Sequence, residues 1–249
     1  MKIIHSIGDN IINLETVDST NNYLKELLKT ETPQEGTAVI AQEQTAGRGQ
    51  QGNYWESNKC ENITMSFALY PTFMDARNQF MISKVVSLGI VDFLKTYIGD
   101  VKIKWPNDIY VGDKKIAGVL IENTIMGNSI SSTIVGIGLN INQKTFSAVL
   151  PNPTSLSLLT ENSFQLEELY VVLFAKLNYW YNKLKNGKVD DIDIEYLFLM
   201  YRYQKLHQYK VGDEVFTAKI IDIDQFGRLC LLNEKKELLQ FAFKEVLFL

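Results

Sequence analysis

Residues 104–122 of the chain read KWPNDIYVGDKKIAGVLIE, and this stretch decides the fold. A residue that precedes a proline is pushed towards extended backbone, so residues 101–105 are predicted to form a strand. Residues 110–114 carry a Gly-Asp pair and predict a turn, and the apolar run over 116–123 predicts a further strand. The stretch therefore predicts strands that follow one another closely in an antiparallel meander.

The sequence on either side extends this meander and adds helices to it. A turn at Gly127 and Asn128 leads into a predicted strand over 131–140, and two earlier strands are predicted over 37–44 and 63–70. Apolar residues at helical spacing predict a helix N-capped by Ser19 or Thr20 and ending before Pro33, a long amphipathic helix over 81–98, and two helices over 165–185 and 192–207.

After Lys210 the sequence consists of short β-rich runs separated by turn residues. This pattern predicts a small barrel, and we divide the chain into domains at residues 1–207 and 208–249. So small a unit rarely buries enough surface to be stable alone, so we expect it to pack on the main domain.

Two lysines in the deciding stretch have both a structural and a functional interpretation. Lys104 is either a solvated lysine beside a rigid bend capped by Asn107 or Asp108, or a ligand contact. Lys115 opens a strand, where a lone lysine is usually an exposed edge charge. Gly118 favours the functional interpretation, because a glycine inside a β-branched strand indicates a bulge or a close approach of a ligand.

The segment GRGQQG at residues 47–52 matches the spacing GxGxxG after a predicted strand. No helix follows it, so a dinucleotide-binding turn is excluded, and a Walker-type loop lacks its lysine. Backbone amides of the glycines, together with the charge of Arg48, favour anion binding over a merely flexible loop. Trp55, which follows closely, is either a wall for an apolar ligand or a core residue.

Composition excludes several other classes of protein. The net charge is −4 and no basic cluster stands out, so we predict no nucleic-acid partner. No apolar run is long enough to span a bilayer and the N-terminus is not a signal peptide, so we predict no membrane partner. Cys60 and Cys230 lie far apart, which indicates a reducing, cytoplasmic compartment and no metal knuckle. His5 and His207 are isolated and are predicted to be structural.

With these residues considered together, the chain resembles the biotin–protein ligases. The resemblance rests on Ser19, Thr20, Asn21, Gln44, residues 46–49, Gly52, Trp55, residues 104–108, Lys115, Ala117, Gly118 and residues 136–140. It implies an α+β fold in which a mixed, largely antiparallel sheet is flanked by helices, as in class II aminoacyl-tRNA synthetases, with a small C-terminal SH3-like barrel. It also implies the single-function form without an N-terminal DNA-binding domain.

The resemblance implies a two-step reaction, in which ATP activates biotin as biotinyl-5′-AMP and the biotinyl group passes to a lysine of a biotin carboxyl carrier domain of a carboxylase. We assign catalytic roles to Lys115, Arg48 and Asp108. The biotin-binding residues are then Ser19, Thr20, Asn21, Gln44, Gly47, Lys115 and Gly118. The ATP and adenylate contacts are Arg48, Gly49, Trp55, Lys104, Asn107, Lys115 and Asn140. Mg²⁺ is expected on the ATP phosphates, with no metal ligands from the protein, and a homodimer is possible.

Removal of residues 211–249 is expected to impair modification of the carrier domain more than adenylation. One departure and two rival interpretations accompany the resemblance. The family often has basic residues at the places of Gln50, Gln51 and Asn53, so retention of the adenylate or ordering of the loop is expected to differ here. A lipoate or octanoate ligase or acyltransferase of the same fold is the nearest rival, and a non-catalytic biotin sensor is the other. The polar residues at 19–21 favour biotin, because an octanoyl or lipoyl chain needs no ureido partners.

Overall fold

The computed structural model describes residues 6–50 and 52–249, so that His5 and Gln51 lie outside the described residues. Within these residues the chain forms two β-sheets, five α-helices and a short 3₁₀ turn at Ala76–Asn78. The strands are β1 (Ile11–Val17), β2 (Ala38–Gln44), β3 (Ile63–Leu69), β4 (Val101–Lys104), β5 (Asp108–Val111), β6 (Lys114–Met126), β7 (Ser129–Leu139), β8 (Leu206–Val211), β9 (Glu214–Ile223), β10 (Leu229–Asn233), β11 (Leu238–Phe241) and β12 (Leu247–Phe248). The helices are α1 (Thr20–Thr30), α2 (Phe80–Leu94), α3 (Leu156–Thr160), α4 (Leu166–Lys185) and α5 (Val189–Phe198).

The larger sheet has the strand order β1-β2-β3-β7-β6-β5-β4. β1 and β2 are parallel and every other neighbouring pair is antiparallel, which confirms the predicted mixed, largely antiparallel sheet flanked by helices. The strands predicted for the meander are β4, β6 and β7, whereas β5 lies between β4 and β6 and was not predicted. The register of β6 and β7 places Gly118 opposite Gly138. Tyr110 and Val111, predicted to begin a turn, instead belong to β5, because their backbone pairs with both β4 and β6.

Helices cover both faces of this sheet. Leu24 of α1 packs against Val39, Ala68 and Ile134, whereas α2 contacts β4, β5 and β6 on the opposite face and α4 packs against α2. α2 was predicted to be amphipathic, and this was wrong: nearly all its side chains are buried, including Lys84, because α4 and α5 cover the side that faces away from the sheet. A helix enclosed in this way is apolar all round, so its sequence does not show a polar face.

The region between α5 and β8 departs from the predicted helix over 192–207. α5 ends at Phe198 because the following backbone pairs with β4: the amide of Ile103 donates to Leu199 O at 2.9 Å and the amide of Tyr201 donates to Ile103 O at 2.8 Å. β8 then begins at Leu206. β1 and α3 were also not predicted. The division into domains at residues 207 and 208 stays a prediction.

The C-terminal β-rich region forms a second, antiparallel sheet with the strand order β11-β10-β9-β8-β12. As predicted, it packs on the main part of the chain. The indole Nε1 of Trp105 donates to Gly227 O at 2.9 Å, and the Trp105 ring lies 6.2 Å from that of Phe243. Among the described helices, none is long and apolar enough to cross a membrane.

Candidate active site

A cleft of about 330 Å³ opens beside the first turn of α1. Its walls come from the start of α1, the loop over 47–55, the turn between β4 and β5, the floor of β6 and β7, and the C-terminal sheet. The predicted site residues that line it are Ser19, Thr20, Asn21, Gln44, Arg48, Gly49, Trp55, Lys104, Asn107, Asp108, Lys115 and Gly118. The structure thus brings together residues from distant parts of the chain.

The first residues of α1 are buried beside the cleft. Ser19 is the N-cap position, and Thr20 and Asn21 follow it, each only 2–3% exposed. The backbone amide and hydroxyl of Thr20 donate to Gln44 Oε1 at 2.8 and 3.1 Å. The side chain of Gln44 therefore satisfies an amide that would otherwise lack a partner at a helix start. A 2.7 Å hydrogen bond joins the hydroxyls of Thr20 and Ser66.

A carboxylate that the sequence analysis did not single out joins α1 to the glycine-rich loop. Glu122 on β6 accepts a hydrogen bond from Asn21 Nδ2 at 2.9 Å. It also accepts two from Arg48, at 3.1 and 3.2 Å, while Arg48 donates to Asn22 Oδ1 at 2.8 Å. Burial acts to raise the pKa of Glu122, but the hydrogen bonds from Asn21 and Arg48 outweigh it and hold the pKa below its ordinary value.

Ser66 and Glu122 are functional candidates that sequence reasoning missed. Ser66 lies on β3, where every side chain is buried, and its hydroxyl donates to Asn21 Oδ1 at 2.5 Å. Buried polar groups in apolar strands need partners, because leaving them unsatisfied is costly. The signal that could have found them is therefore a polar residue inside an otherwise apolar strand.

Lys115 and Asp108 form an ion pair across β5 and β6. Lys115 Nζ lies 2.6 Å from Asp108 Oδ1, and about a third of each side chain is exposed to the cleft. The backbone of Lys115 is fixed on its other side, where its amide donates to Asn152 O and its carbonyl accepts from the amide of Thr154, both at 2.9 Å. The ammonium group also lies 5.9 Å from the ring of Trp55. The structure thus gives a cation with a rigid backbone and an accessible tip.

Lys104 is more buried than a solvated surface lysine. Its Nζ donates to Tyr110 Oη at 3.2 Å and lies 4.7 Å from the centre of that ring and 5.4 Å from that of Phe248. Burial lowers the pKa of Lys104, and the charge of Lys115 acts in the same direction, whereas Asp108 acts to raise it. Lys104 therefore forms a charged cluster in the cleft together with Asp108 and Lys115.

The indole of Trp55 lies on a floor of glycines. Gly118 and Gly138 face each other in the register of β6 and β7, and a methyl group on Gly138 would overlap the indole. At Gly118 a methyl group would lie 3.2 Å from the indole and 3.4 Å from Lys115 Nζ. Gly136 likewise leaves space for Asn21. The sequence predicted a close approach at Gly118, and in the structure Trp55 makes this approach.

The glycine-rich segment closes into a narrow hairpin. Gly47 O accepts from the amide of Trp55 at 2.9 Å, and the amide of Gly49 donates to Asn53 O at 2.9 Å. A side chain at Gly47 would overlap the Trp55 carbonyl, so this glycine is needed for the hairpin to close. The hairpin carries Gln50 and Asn53 into the lining of the cleft.

A second cleft of about 340 Å³ lies against Trp55 and Lys115, which line both clefts. Asn140 lines the second cleft together with an apolar wall of Phe146, Val149, Leu150, Pro151 and Pro153. Asn140 Nδ2 donates to Thr154 O at 2.9 Å, while its Oδ1 is buried without a hydrogen-bond partner in the described part of the chain. Asn140 therefore lines a different cleft from Ser19 and Gln44, and its unpartnered acceptor is buried behind the wall of that cleft.

Asn107 lines the first cleft and also has a structural contact. Its Nδ2 donates to Val119 O and so fixes the turn between β4 and β5 on β6.

Among its described residues, the site has no cluster of metal ligands. Over residues 6–50 and 52–249 no group of three or more His, Cys, Asp or Glu could hold a metal ion. Asp108, which lines the first cleft, is instead paired with Lys115, and Glu122, which does not line it, is paired with Arg48.

Comparison with known proteins gives a family match and similar proteins. The model of the Biotin/lipoate A/B protein ligase family matches residues 14–140. The chain is 34% identical over 140 residues to the bifunctional ligase/repressor BirA of Bacillus spizizenii, covering 56% of this chain and 42% of that protein. It is 36% identical over 132 residues to the biotin–[acetyl-CoA-carboxylase] ligase of Paracoccus denitrificans, covering 51% of this chain and 53% of that protein. The chain thus matches about half the length of these relatives, or less.

Among solved structures, the chain is similar to the biotin protein ligase of Aquifex aeolicus in complex with biotin and ATP. The TM-score is 0.80 at 27% identity, and the match covers 96% of this chain and 98% of that one. The similarity therefore includes the C-terminal sheet as well as the main sheet, and it agrees with the fold inferred from the sequence.

Proposed function

The chain belongs to the biotin/lipoate A/B protein ligase family, and we propose that it activates biotin with ATP as biotinyl-5′-AMP and transfers the biotinyl group to a lysine of a biotin carboxyl carrier domain. The observation that carries this proposal is the position of Lys115. This residue lines two adjoining clefts at once, one with polar groups at Ser19 and Gln44 and the other with Asn140.

The first step joins two anions, the biotin carboxylate and the α-phosphate of ATP. Two like charges 4 Å apart repel by about 4 kcal/mol at an effective dielectric constant of about 20, so a cation between them lowers the barrier. Lys115 is suited to this position because its backbone is fixed and its amine is accessible. The carboxylate oxygen attacks the α-phosphorus, the bond to the bridging oxygen breaks, and pyrophosphate leaves.

The two clefts suit the two halves of the adenylate. The ureido end of biotin needs hydrogen-bond donors and acceptors, which Ser19, Thr20, Asn21 and Gln44 supply in the first cleft. Adenine needs an apolar slot and a partner for its amino group. The second cleft has an apolar wall, and a movement that exposes the buried, unpartnered Oδ1 of Asn140 would supply that acceptor. Trp55 lies between the clefts and would cover the biotin tail.

Arg48 has a role that requires it to exchange partners. In the structure it pairs with Glu122, and a phosphate would compete for the same guanidinium group with a matching bidentate geometry. We infer that the adenylate draws Arg48 towards its phosphate and orders the hairpin over residues 47–55. Gln50 and Asn53 add no charge to this hairpin, so Arg48 is the residue on which its attraction for the adenylate depends.

Mg²⁺ fits this site only as an ion carried by the nucleotide. Asp108 and Glu122 are each paired with a cationic side chain and do not form a metal-binding cage. Mg²⁺ often binds largely through the phosphates of a nucleotide. When bound, it would neutralise charge on the departing pyrophosphate. The protein itself would orient the nucleotide through the charged side chains of Lys104, Lys115 and Arg48.

The second step requires a neutral lysine amine from the carrier domain. A lysine with an ordinary pKa near 10.4 costs about 4.6 kcal/mol to deprotonate at pH 7. Asp108 lies beside the reacting position and can orient the incoming ammonium and accept its proton late in the reaction. The amine attacks the mixed anhydride, the amide forms, and AMP leaves.

Lipoate or octanoate transfer is the second candidate, because the family includes lipoate ligases. The polar groups at residues 19–21 favour biotin, since its ureido group can form hydrogen bonds with them, whereas an apolar chain placed there would form none. A cytoplasmic location and a homodimer remain parts of this proposal that rest on the sequence and the resemblance.

The proposal is tested by mass spectrometry of an isolated biotin carboxyl carrier domain incubated with the protein, ATP and either biotin or lipoate. We expect a single lysine modified by the mass of biotin and release of AMP. Modification with lipoate alone would support the second candidate, and no modification together with no AMP would reject both.

A further inference from the structure

The C-terminal sheet forms part of the cleft in which the first step is proposed to occur. Phe243, Val246, Leu247 and Phe248 line it together with Lys104 and the other charged residues. The expectation from the sequence was that this region acts mainly on the protein substrate. Its position beside the charged cluster indicates a role in the chemistry itself.

Phe248 contacts the charged cluster through Lys104. The ammonium group of Lys104 lies between two aromatic rings, 4.7 Å from the centre of the Tyr110 ring and 5.4 Å from that of Phe248. Tyr110 comes from β5 of the main sheet and Phe248 from β12 of the C-terminal sheet. The cation therefore joins the two sheets, and an aromatic face attracts a cation without neutralising it.

Contacts on three sides fix the position of Phe248. β12 pairs with β8 so that Phe248 lies opposite Tyr209, and their rings meet edge to face at 5.3 Å. The next residue, Leu249, donates its amide to Gln208 O at 3.2 Å and accepts from Arg202 Nη1 at 2.7 Å. Phe248 is thus part of a rigid support for the end of Lys104.

Such a support matters because of the neighbours of Lys104. Its register partner Asp108 attracts the ammonium group, whereas Lys115 and Arg202 repel it. Without the rings, the flexible side chain would be free to turn towards Asp108 and compete with Lys115 for it. With the rings in place, Lys104 stays in the cleft as an additional unpaired cation for the phosphates.

We propose that Phe248 is a positioning residue for adenylate formation, which holds Lys104 between its own ring and that of Tyr110 so that the ammonium group faces the ATP phosphates. This inference rests on the proposed biotin ligase activity. It assigns the last strand of the C-terminal sheet to the first half-reaction, in addition to any contact that this sheet makes with the carrier domain.

The test is a double-mutant cycle on Phe248 and Lys104, read by pyrophosphate release from ATP and biotin without carrier. Phe248→Leu keeps an apolar side chain but removes the aromatic face, and we expect it to lower kcat/KM for ATP about three- to thirtyfold, the range of a partly desolvated cation–π contact. Phe248→Tyr should restore most of the activity. In a Lys104→Met background, Phe248→Leu should cause no further loss.

Calorimetric binding of biotin without ATP provides the check on folding, and Phe226→Leu provides the matched control. Phe226 is an exposed phenylalanine of the same region whose ring faces Arg228 instead, so its replacement should leave ATP kinetics unchanged. Equal losses from Phe248→Leu in both backgrounds, or a loss that Phe248→Tyr does not restore, would overturn the inference alone. Absence of pyrophosphate release by the wild-type protein would overturn the proposed function and the inference with it.

Discussion

The ammonium nitrogen of Lys115 lies 2.6 Å from a carboxylate oxygen of Asp108. The proposed mechanism assigns these two residues to different half-reactions, Lys115 to adenylation and Asp108 to transfer. Their ion pair links the two steps, because the anions of the first step must draw Lys115 away from Asp108. Once Lys115 binds the adenylate, Asp108 has an open position for the ammonium group of the acceptor lysine. The exchange of partners gives the reaction its order.

Lys115→Ala tests the first part of this exchange. We expect adenylate formation to fall by a factor of about 10² or more, the size found when one donor to a developing charge is removed. The measurement is pyrophosphate release with ATP and biotin. Lys114→Ala is the matched control, because the neighbouring lysine is exposed and lies outside the cleft. Near-wild-type release from Lys115→Ala would contradict the assignment.

Asp108→Asn tests the second part. The amide keeps the size of the side chain but carries no negative charge and is not a base, so we expect transfer to the carrier lysine to slow by about 10²-fold. Adenylate formation should change much less, because Lys115 remains. Single-turnover transfer from preformed biotinyl-5′-AMP separates the two steps. If adenylation and transfer fall by the same factor, Asp108 acts only by orienting Lys115.

The contact between Lys115 and Asp108 is local, because both residues lie in the stretch over 104–122 from which the meander was predicted. Their catalytic roles stay a prediction, and β5, which carries Asp108, was not predicted, because Tyr110 and Val111 were assigned to the turn. Glu122 and Arg48 are 74 residues apart, and no local pattern predicts their ion pair. The predicted end of α5 was wrong for the same reason. The helix ends where the following backbone pairs with Ile103, which lies in a strand distant in sequence.

Arg48→Ala should separate formation of the adenylate from its retention. Without the guanidinium group nothing charged in the hairpin holds the phosphate, and we expect biotinyl-5′-AMP to escape and label lysines of unrelated proteins. The measurement is mass spectrometry of albumin added beside the carrier domain. Arg77→Ala is the control, because Arg77 is an exposed arginine paired with Asp75 outside the cleft. Labelling restricted to the carrier lysine would count against this role.

The Glu122–Arg48 pair also predicts a pH dependence of stability. The pKa of Glu122 lies below its ordinary value in the folded protein, so the carboxylate contributes stability above its unfolded pKa and loses it as pH falls through the folded pKa. We therefore expect Glu122→Gln to be less stable than wild type at pH 7 by about 1 kcal/mol, a modest value because the pair is partly exposed.

This difference should be smaller at about pH 3, because the stability that the charge contributes declines as the pH falls from the unfolded pKa towards the lower folded pKa. Urea unfolding of both proteins at the two pH values measures it. Glu26→Gln provides the comparison, because the ion pair of Glu26 with Lys29 is on the surface and should give little difference at either pH. A difference for Glu122→Gln that is the same at pH 7 and pH 3 would show that its charge is not the cause.

The glycine floor under Trp55 gives a prediction about biotin binding. Gly138→Ala places a methyl group where the indole lies, so the ring must move away from β6 and β7. We expect a changed tryptophan fluorescence spectrum and biotin affinity reduced at least about tenfold, because a shift of the wall costs contacts worth more than about 1.4 kcal/mol. Gly99→Ala is the matched control, since a methyl group there meets no neighbouring atom and its backbone is not left-handed. If Gly138→Ala bound biotin as tightly as Gly99→Ala, Trp55 could not be the wall of the biotin site, and the glycines of β6 and β7 would serve only the packing of the sheet.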